Sequence, residues 1–138
     1  PDASYISHGE IQTGLSIDGE TWASDLEKRF LEDLETLGEG QQLAVMRDSF
    51  GVMIATAIVQ WEETSRVKFG VLEDLAVQPS LRSSGLGHEM VTWIDGQAKQ
   101  RGCSWMFLES GKKNHRAHAF FERCGFAEIS HVFVKHYR

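Results

Sequence analysis

The segment that most constrains this chain is Leu72-Glu73-Asp74-Leu75-Ala76-Val77-Gln78-Pro79-Ser80-Leu81-Arg82-Ser83-Ser84-Gly85-Leu86-Gly87-His88. An apolar, strand-like run stops at Pro79 and passes through a short polar loop. The loop opens directly into a helix whose apolar residues, Leu86, Met90, Ile94 and Ala98, follow a four-residue rhythm. Gly85 and Gly87 let backbone approach a ligand with no Cβ in the way. The first amides of a helix have no partner inside it, and the helix dipole adds partial positive charge at the same end. Strand, loop and helix together therefore make an anion site. Arg82 adds a full charge on a planar donor fork suited to phosphate oxygens.

Two familiar phosphate loops are excluded. A P-loop needs a lysine and wider glycine spacing, and a dinucleotide fingerprint needs three glycines at G-x-G-x-x-G spacing. On the glycines alone, a plain turn remains the alternative.

The rest of the chain supplies the frame. Residues 1–20 are polar and irregular, with a short helix or strand near Tyr5–Thr13. Trp22, Leu26, Phe30, Leu34 and Leu37 share one helical face. That helix starts at Thr21 or at a Ser24/Glu27 capping box and ends at Gly38 and Gly40. Gln42–Arg47 and Val52–Gln60 read as a hairpin around Asp48-Ser49-Phe50-Gly51, with the second strand free to continue to Trp61 before the polar turn Glu62–Ser65. Strand Val67–Val77, the helix from Leu86, strand Cys103–Glu109, helix His115–Cys124 and strand region Phe126–Lys135 follow. Strands that run consecutively and then alternate with helices predict one α/β (α+β) domain over residues 1–138, with a central mixed, mostly antiparallel sheet flanked by helices.

Composition narrows the partners. With 14 basic and 20 acidic residues the net charge is −6, which argues against nucleic acid and suits a cationic small molecule or basic peptide. No apolar run approaches the ~20 residues that span a bilayer, and the start of the chain carries neither the basic region nor the apolar core of a signal peptide. Two cysteines, Cys103 and Cys124, are too few for a disulfide framework and read as buried thiols of a cytoplasmic protein. His115 and His118 lie on one helical face, but no further ligand set stands near them, so no metal is expected.

A second pattern lies downstream: Asn114-x-x-Ala117-x-x-Phe120-Phe121-x-x-x-Gly125-Phe126. It resembles the Asn-x-x-Ala-x-x-Phe-Tyr-x-x-x-Gly-Phe pattern of the GNAT superfamily of N-acetyltransferases. Arg82-Ser83-Ser84-Gly85-Leu86-Gly87 resembles the same family's Arg/Gln-x-x-Gly-x-Gly/Ala signature. The resemblance covers roughly residues 42–135, and the Trp22–Leu37 helix is similar to the family's variable N-terminal helices. No convincing strand precedes Trp22, where the family usually has one in a region that helps form the acceptor pocket. Ser130–Lys135 and Arg116-Ala117-His118 are weakly similar to aminoalkylphosphonate acetyltransferases.

The resemblance implies transfer of an acetyl group from acetyl-CoA to an amine of a small molecule or peptide, with neither nucleic acid nor membrane as partner and a homodimer left open. It implies that Arg82, Ser83, Ser84, Gly85, Leu86 and Gly87 cradle the CoA pyrophosphate, and that backbone groups of Leu75, Ala76 and Val77 hold the acetyl carbonyl and the pantetheine amides. Asn114 matches a cofactor hydrogen-bonding position and also suits a helix N-cap. The family places a base near Glu73 or two residues earlier, at Val71. Alternation puts Glu73 on the face of Leu75 and Val77 with Asp74 opposite. Glu73 is thus the expected base, with Asp74 as the fallback and a solvated strand carboxylate as the plain reading. Phe121 stands where the family has a tyrosine acid, so the proton comes from elsewhere (His118 and Tyr137 are candidates), the thiolate leaves unaided, or the protein is an acetyl-CoA-binding sensor with little turnover. Lys112 and Lys113 fit either a basic surface turn or a contact to the adenosine phosphate.

Overall fold

A computed structural model describes residues 3–137, the side chains of Phe30 and Leu34 excepted. The element order is α1 (His8–Gln12), α2 (Leu26–Glu35), β1 (Gln41–Arg47), β2 (Met53–Glu63), β3 (Lys68–Val77), α3 (Leu86–Gln100), β4 (Trp105–Leu108) and α4 (His115–Arg123). The fold is mixed α/β, and the chain divides into two compact units. One is Leu37–Leu108; the other joins residues 3–36 to residues 109–137.

The first unit is a four-stranded mixed sheet of order β1-β2-β3-β4, backed by α3. The β1–β2 hairpin forms where its turn chemistry predicts. Asp48 Oδ1 accepts from the Phe50 and Val52 amides at 2.9 and 3.0 Å, and Gly51 supplies the positive φ of 82° that the turn needs. β2 and β3 are antiparallel, whereas β3 and β4 are parallel, with rungs from Phe69↔Trp105 to Leu72↔Leu108. The core lies under α3: Met90, Val91, Ile94 and Ala98 are buried, as are Ala44, Ala55, Ala57, Val59 and Leu72 of the strands. The four-residue rhythm of α3 and the alternation of β2 are therefore one packing surface read from two sides.

The ladder differs from strict alternation at one place. Consecutive β2 residues Ile58 and Val59 pair with Asp74 and Leu72, which leaves Glu73 as the extra residue of a β-bulge. Before the bulge, Leu72 pairs with buried Val59; after it, Leu75 pairs with buried Ala57. The core-facing parity therefore changes across Glu73. Glu73 and Asp74 fall on the same face, away from the buried one, and Glu73 does not share the face of Leu75 and Val77. The expectation from alternation is corrected here, because a bulge adds one residue to the period of two.

In the second unit the first long helix starts later than its apolar stripe suggests. Trp22 stands outside α2, in an isolated bridge with Ser16. Asp18 Oδ1 accepts from the Glu20 and Thr21 amides at 2.8 and 2.7 Å, and the Ala23 amide donates to the Leu15 carbonyl at 2.8 Å. These bonds hold residues 18–23 in a turn, so the helix is capped at Asp25 rather than at Thr21 or Ser24. Phe30 and Leu34 of the predicted stripe lie outside the described side chains. The segment near Tyr5–Thr13 holds the short helix α1, so no opening strand stands there.

The end of the chain is also corrected. Gly125, at φ 95°, stops α4, and the Phe126 amide returns to the Phe121 carbonyl at 3.0 Å. The predicted strand over Phe126–Lys135 does not form: residues 126–137 have no regular structure, and Phe133 is 93% exposed. Alternating apolar residues make a strand only where a neighbouring strand takes up the backbone groups, and none does so here.

Candidate active site

The site is built from one continuous stretch, Glu73 to Gly87, within the sheet unit. The parallel ladder with β4 ends at Leu72↔Leu108, while β2 pairs on as far as Ala55↔Val77. From Glu73 to Val77, β3 therefore has a strand partner on one side only among the described residues. The other edge of Leu75–Val77 carries backbone amides and carbonyls of the kind an extended amide-bearing ligand can pair with.

The bulge sits at the mouth of this edge. Glu73 is exposed, and its Oε2 accepts a hydrogen bond from Gln41 Nε2 of β1 at 2.8 Å. Asp74 is half-buried beside it. Two neighbouring carboxylates on one face were not expected from the sequence. The signal that could have revealed them is a register shift, which only strand pairing displays.

Beyond Val77 the chain turns through the short 3-10 segment Pro79–Leu81. The Gln78 amide pins this turn to the Ile54 carbonyl at 2.9 Å. Ser83 then adopts φ 66° and Gly85 φ 88°, two left-handed residues within three positions. Ser83 is the only residue other than glycine with positive φ among those described, a conformation that ordinarily costs a side-chain-bearing residue about 1–2 kcal/mol. The Ser84 hydroxyl donates to the Leu81 carbonyl and closes the loop. Gly85 is the N-cap of α3, and a Cβ built on it meets nothing within 4 Å. A side chain at the cap would thus meet no neighbour, and the amides of the first turn of α3, the kind of group that takes an anion, follow directly from it. Arg82 is exposed at the edge of the same loop.

Asn114 and Phe121 belong to the other unit. Asn114 is buried, 7% exposed, and its Oδ1 accepts from the Ala117 amide at 3.2 Å, so it is the N-cap of α4. Phe121 is half-buried and packs edge-on to Phe120 and Phe126, with ring centroids 5.2 and 5.9 Å away. His118 Nε2 is engaged by the Gly111 carbonyl at 2.9 Å, and Tyr137 is 78% exposed under the Lys135 ammonium. The rings of His115 and His118 meet edge-on at 5.7 Å, and no group of three metal-ligating side chains exists among the described residues. No described helix is long and apolar enough to cross a membrane.

Comparison with known proteins bears on the family and the fold. The chain is similar to the glucosamine 6-phosphate N-acetyltransferase of Arabidopsis thaliana, 25% identical over 132 residues, covering 93% of this chain and 86% of that protein. It is similar to an aminoglycoside N(6')-acetyltransferase type 1 of Acinetobacter genomosp. 13, 29% identical over 116 residues, covering 79% and 76%. Its fold matches the structure of AAC(6')-Iy in complex with the bisubstrate analog CoA-S-monomethyl-acetylneamine, with a TM-score of 0.66 at 19% identity over 81% of this chain and 80% of that one. The acetyltransferase (GNAT) family model matches residues 11–126, a span that contains the whole stretch from the bulge to α3 as well as α4. The chain belongs to the acetyltransferase (GNAT) family, and with it to the acyl-CoA-dependent N-acetyltransferases.

Proposed function

We propose that this protein transfers the acetyl group of acetyl-CoA to a primary amine of a small cationic molecule or a peptide, in the cytoplasm, with residues 1–138 acting as one catalytic domain. One observation carries the reading: the Leu75–Val77 edge of β3, beyond the end of its ladder with β4, runs directly into a left-handed loop and the N-terminus of α3, where a Cβ on the cap Gly85 meets nothing within 4 Å. A pantetheine arm carries amides at the spacing of a strand, and a pyrophosphate is the anion attached to it. Edge and loop are continuous in the chain as arm and pyrophosphate are continuous in the ligand. In this reading Leu75, Ala76 and Val77 pair with the arm and polarise the acetyl carbonyl. Arg82, with Ser83, Ser84, Gly85, Leu86 and Gly87, holds the pyrophosphate.

The amine must be neutral to attack, so a proton acceptor is required. Glu73 is our candidate, oriented by Gln41, with Asp74 as the neighbouring alternative. Phe121 offers no proton to the departing sulfur. A thiol with an ordinary pKa of about 8.5 leaves tolerably as the thiolate. The relatives named for glucosamine 6-phosphate and aminoglycosides support an amino-sugar type of acceptor, and the net charge of −6 favours a cation.

The test is CoA release measured with a panel of amino sugars, aminoglycosides, polyamines and peptides. Saturable release with at least one amine is expected, and a Glu73→Gln variant should lower kcat on the order of 10²-fold. Tight acetyl-CoA binding without release for any amine would replace the enzyme reading with that of a binding module. An unchanged rate in Glu73→Gln would remove Glu73 from the base role.

A further inference from the structure

The two faces of the sheet differ in what they carry. α3 backs one face, on which Val59, Gly70 and Leu72 are buried. Alternation puts Phe69, Val71, Trp105 and Phe107 on the other face. There the parallel ladder sets Phe69 beside Trp105 and Val71 beside Phe107. The Phe69 and Phe107 rings meet edge-on, with centroids 5.6 Å apart. Neither aromatic residue of β4 is buried: Trp105 is 63% exposed and Phe107 38%. Two exposed aromatic residues on one short strand, joined to a third ring, make a contiguous apolar shelf, whereas scattered single residues would need no explanation.

The shelf adjoins the candidate base. Glu73 lies two residues beyond Val71 on the same face. Same-face neighbours stand about 7 Å apart along a strand, and adjacent strands about 5 Å apart. An amine at the Glu73 carboxylate therefore brings a group two or three bonds away over Val71 and Phe107. The charges of this face have one sign. Among the residues of β2, β3 and β4 that point this way, those with charge are Glu62, whose ladder partner is Phe69, together with Glu73 and Asp74. An ammonium complements such a face, and a phosphate is repelled by it.

We propose that the acceptor is a primary amine joined by a short chain to a flat apolar ring system, and that Phe107 and Trp105 receive that ring. The proposal rests on the acyl-transfer reading and narrows its acceptor. It departs from the phosphorylated amino sugar in the name of one relative, because the acidic residues beside the shelf repel a phosphate. Offset or edge-on contact with the two rings is the geometry that aromatic groups favour. The ring leaves the transfer itself unchanged. One proton of the ammonium passes to Glu73 and on to solvent. The freed pair on nitrogen forms the C–N bond to the acetyl carbon, and the C–S bond breaks with its pair on sulfur. A second proton from nitrogen ends on that sulfur. The products are an amide, a thiol and one proton.

The experiment is CoA release by the full chain with phenylethylamine, tryptamine, ethylamine and glucosamine 6-phosphate. Ethylamine supplies the amine without the ring. kcat/KM for the two ring amines should exceed that for ethylamine by about tenfold or more, and should also exceed that for glucosamine 6-phosphate. In Phe107→Ala the advantage of phenylethylamine over ethylamine should fall about tenfold, through KM rather than kcat, with acetyl-CoA affinity retained. Phe107 packs on Phe69, so Trp105→Ala, at a more exposed position, guards against a variant that fails to fold. There the advantage of tryptamine should fall likewise. Ring amines no better than ethylamine or glucosamine 6-phosphate, or an advantage that survives the substitutions, would overturn the shelf and leave the acyl-transfer reading intact. Release with none of these amines, nor with the panel above, would overturn the acyl-transfer reading itself, and the acceptor with it.

Discussion

Gly85→Ala separates the structural from the functional use of the loop. The substitution adds one methyl group at φ 88° and ψ 0°, where the new Cβ meets nothing within 4 Å. No clash enters the cost, which reduces to the left-handed backbone of a non-glycine residue, about 1–2 kcal/mol. At roughly 4 °C per kcal/mol for a chain of this size, thermal denaturation should show Tm lower by about 4–8 °C. Gly51 in the β1–β2 turn is a built-in control, because it has φ 82° and an equally open surrounding. Gly51→Ala should lower Tm by the same amount. Calorimetric titration with acetyl-CoA should then part the two variants. Gly51→Ala should bind as the parent does. Gly85→Ala should lose affinity tenfold or more, the equivalent of about 1.4 kcal/mol, because the methyl group would stand in the proposed path of the pyrophosphate. Equal acetyl-CoA affinity in the two variants, with both Tm values lowered, would refute the reasoning: the glycine would then serve the turn alone.

Three further outcomes follow from the packing and electrostatics. Ile94 is 1% exposed under the sheet, so Ile94→Ala should cost about 3 kcal/mol and move the urea midpoint down by about 1.5 M; an unmoved midpoint would contradict the core assignment. The Asp18 carboxyl is held at about 2, below its ordinary 3.8, chiefly by the amides of Glu20 and Thr21 and then by the Thr21 hydroxyl. Its contribution is therefore whole above the ordinary value and is lost as pH falls through about 2; an NMR titration placing Asp18 at 3.8 or higher would contradict the turn. Asn114→Ala removes the α4 cap and should cost about 0.5–2 kcal/mol in thermal denaturation, whereas Asn114→Asp should retain most of it.

Local features were legible in the sequence where local chemistry decides them. The Asp48–Gly51 turn, the α3 rhythm and the Arg82–Gly87 loop each depend on residues a few positions apart, and each forms where its residue types require. Features set by pairing were not. The bulge at Glu73 arises from the register of β3 against β2, so alternation along β3 alone assigned Glu73 to the wrong face. The start of α2 is decided by hydrogen bonds to Asp18, upstream of the apolar stripe that suggested Trp22. Residues 126–135 have the alternation of a strand, but a strand also needs a partner for its backbone groups. The Ser7, His8 and Gly9 contacts to Glu109 join residues about a hundred positions apart, and no local pattern announces them.

The cradle at Arg82–Gly87 is tested most directly by titrating acetyl-CoA into the unaltered protein and into Arg82→Ala. Arg82 is exposed, so its removal should leave the fold stable. A charge-assisted hydrogen bond is worth about 1.5–3 kcal/mol. The account therefore predicts saturable binding in the parent and an affinity at least about tenfold weaker in the variant. Equal affinity in the two proteins, or no binding by the parent, would contradict it.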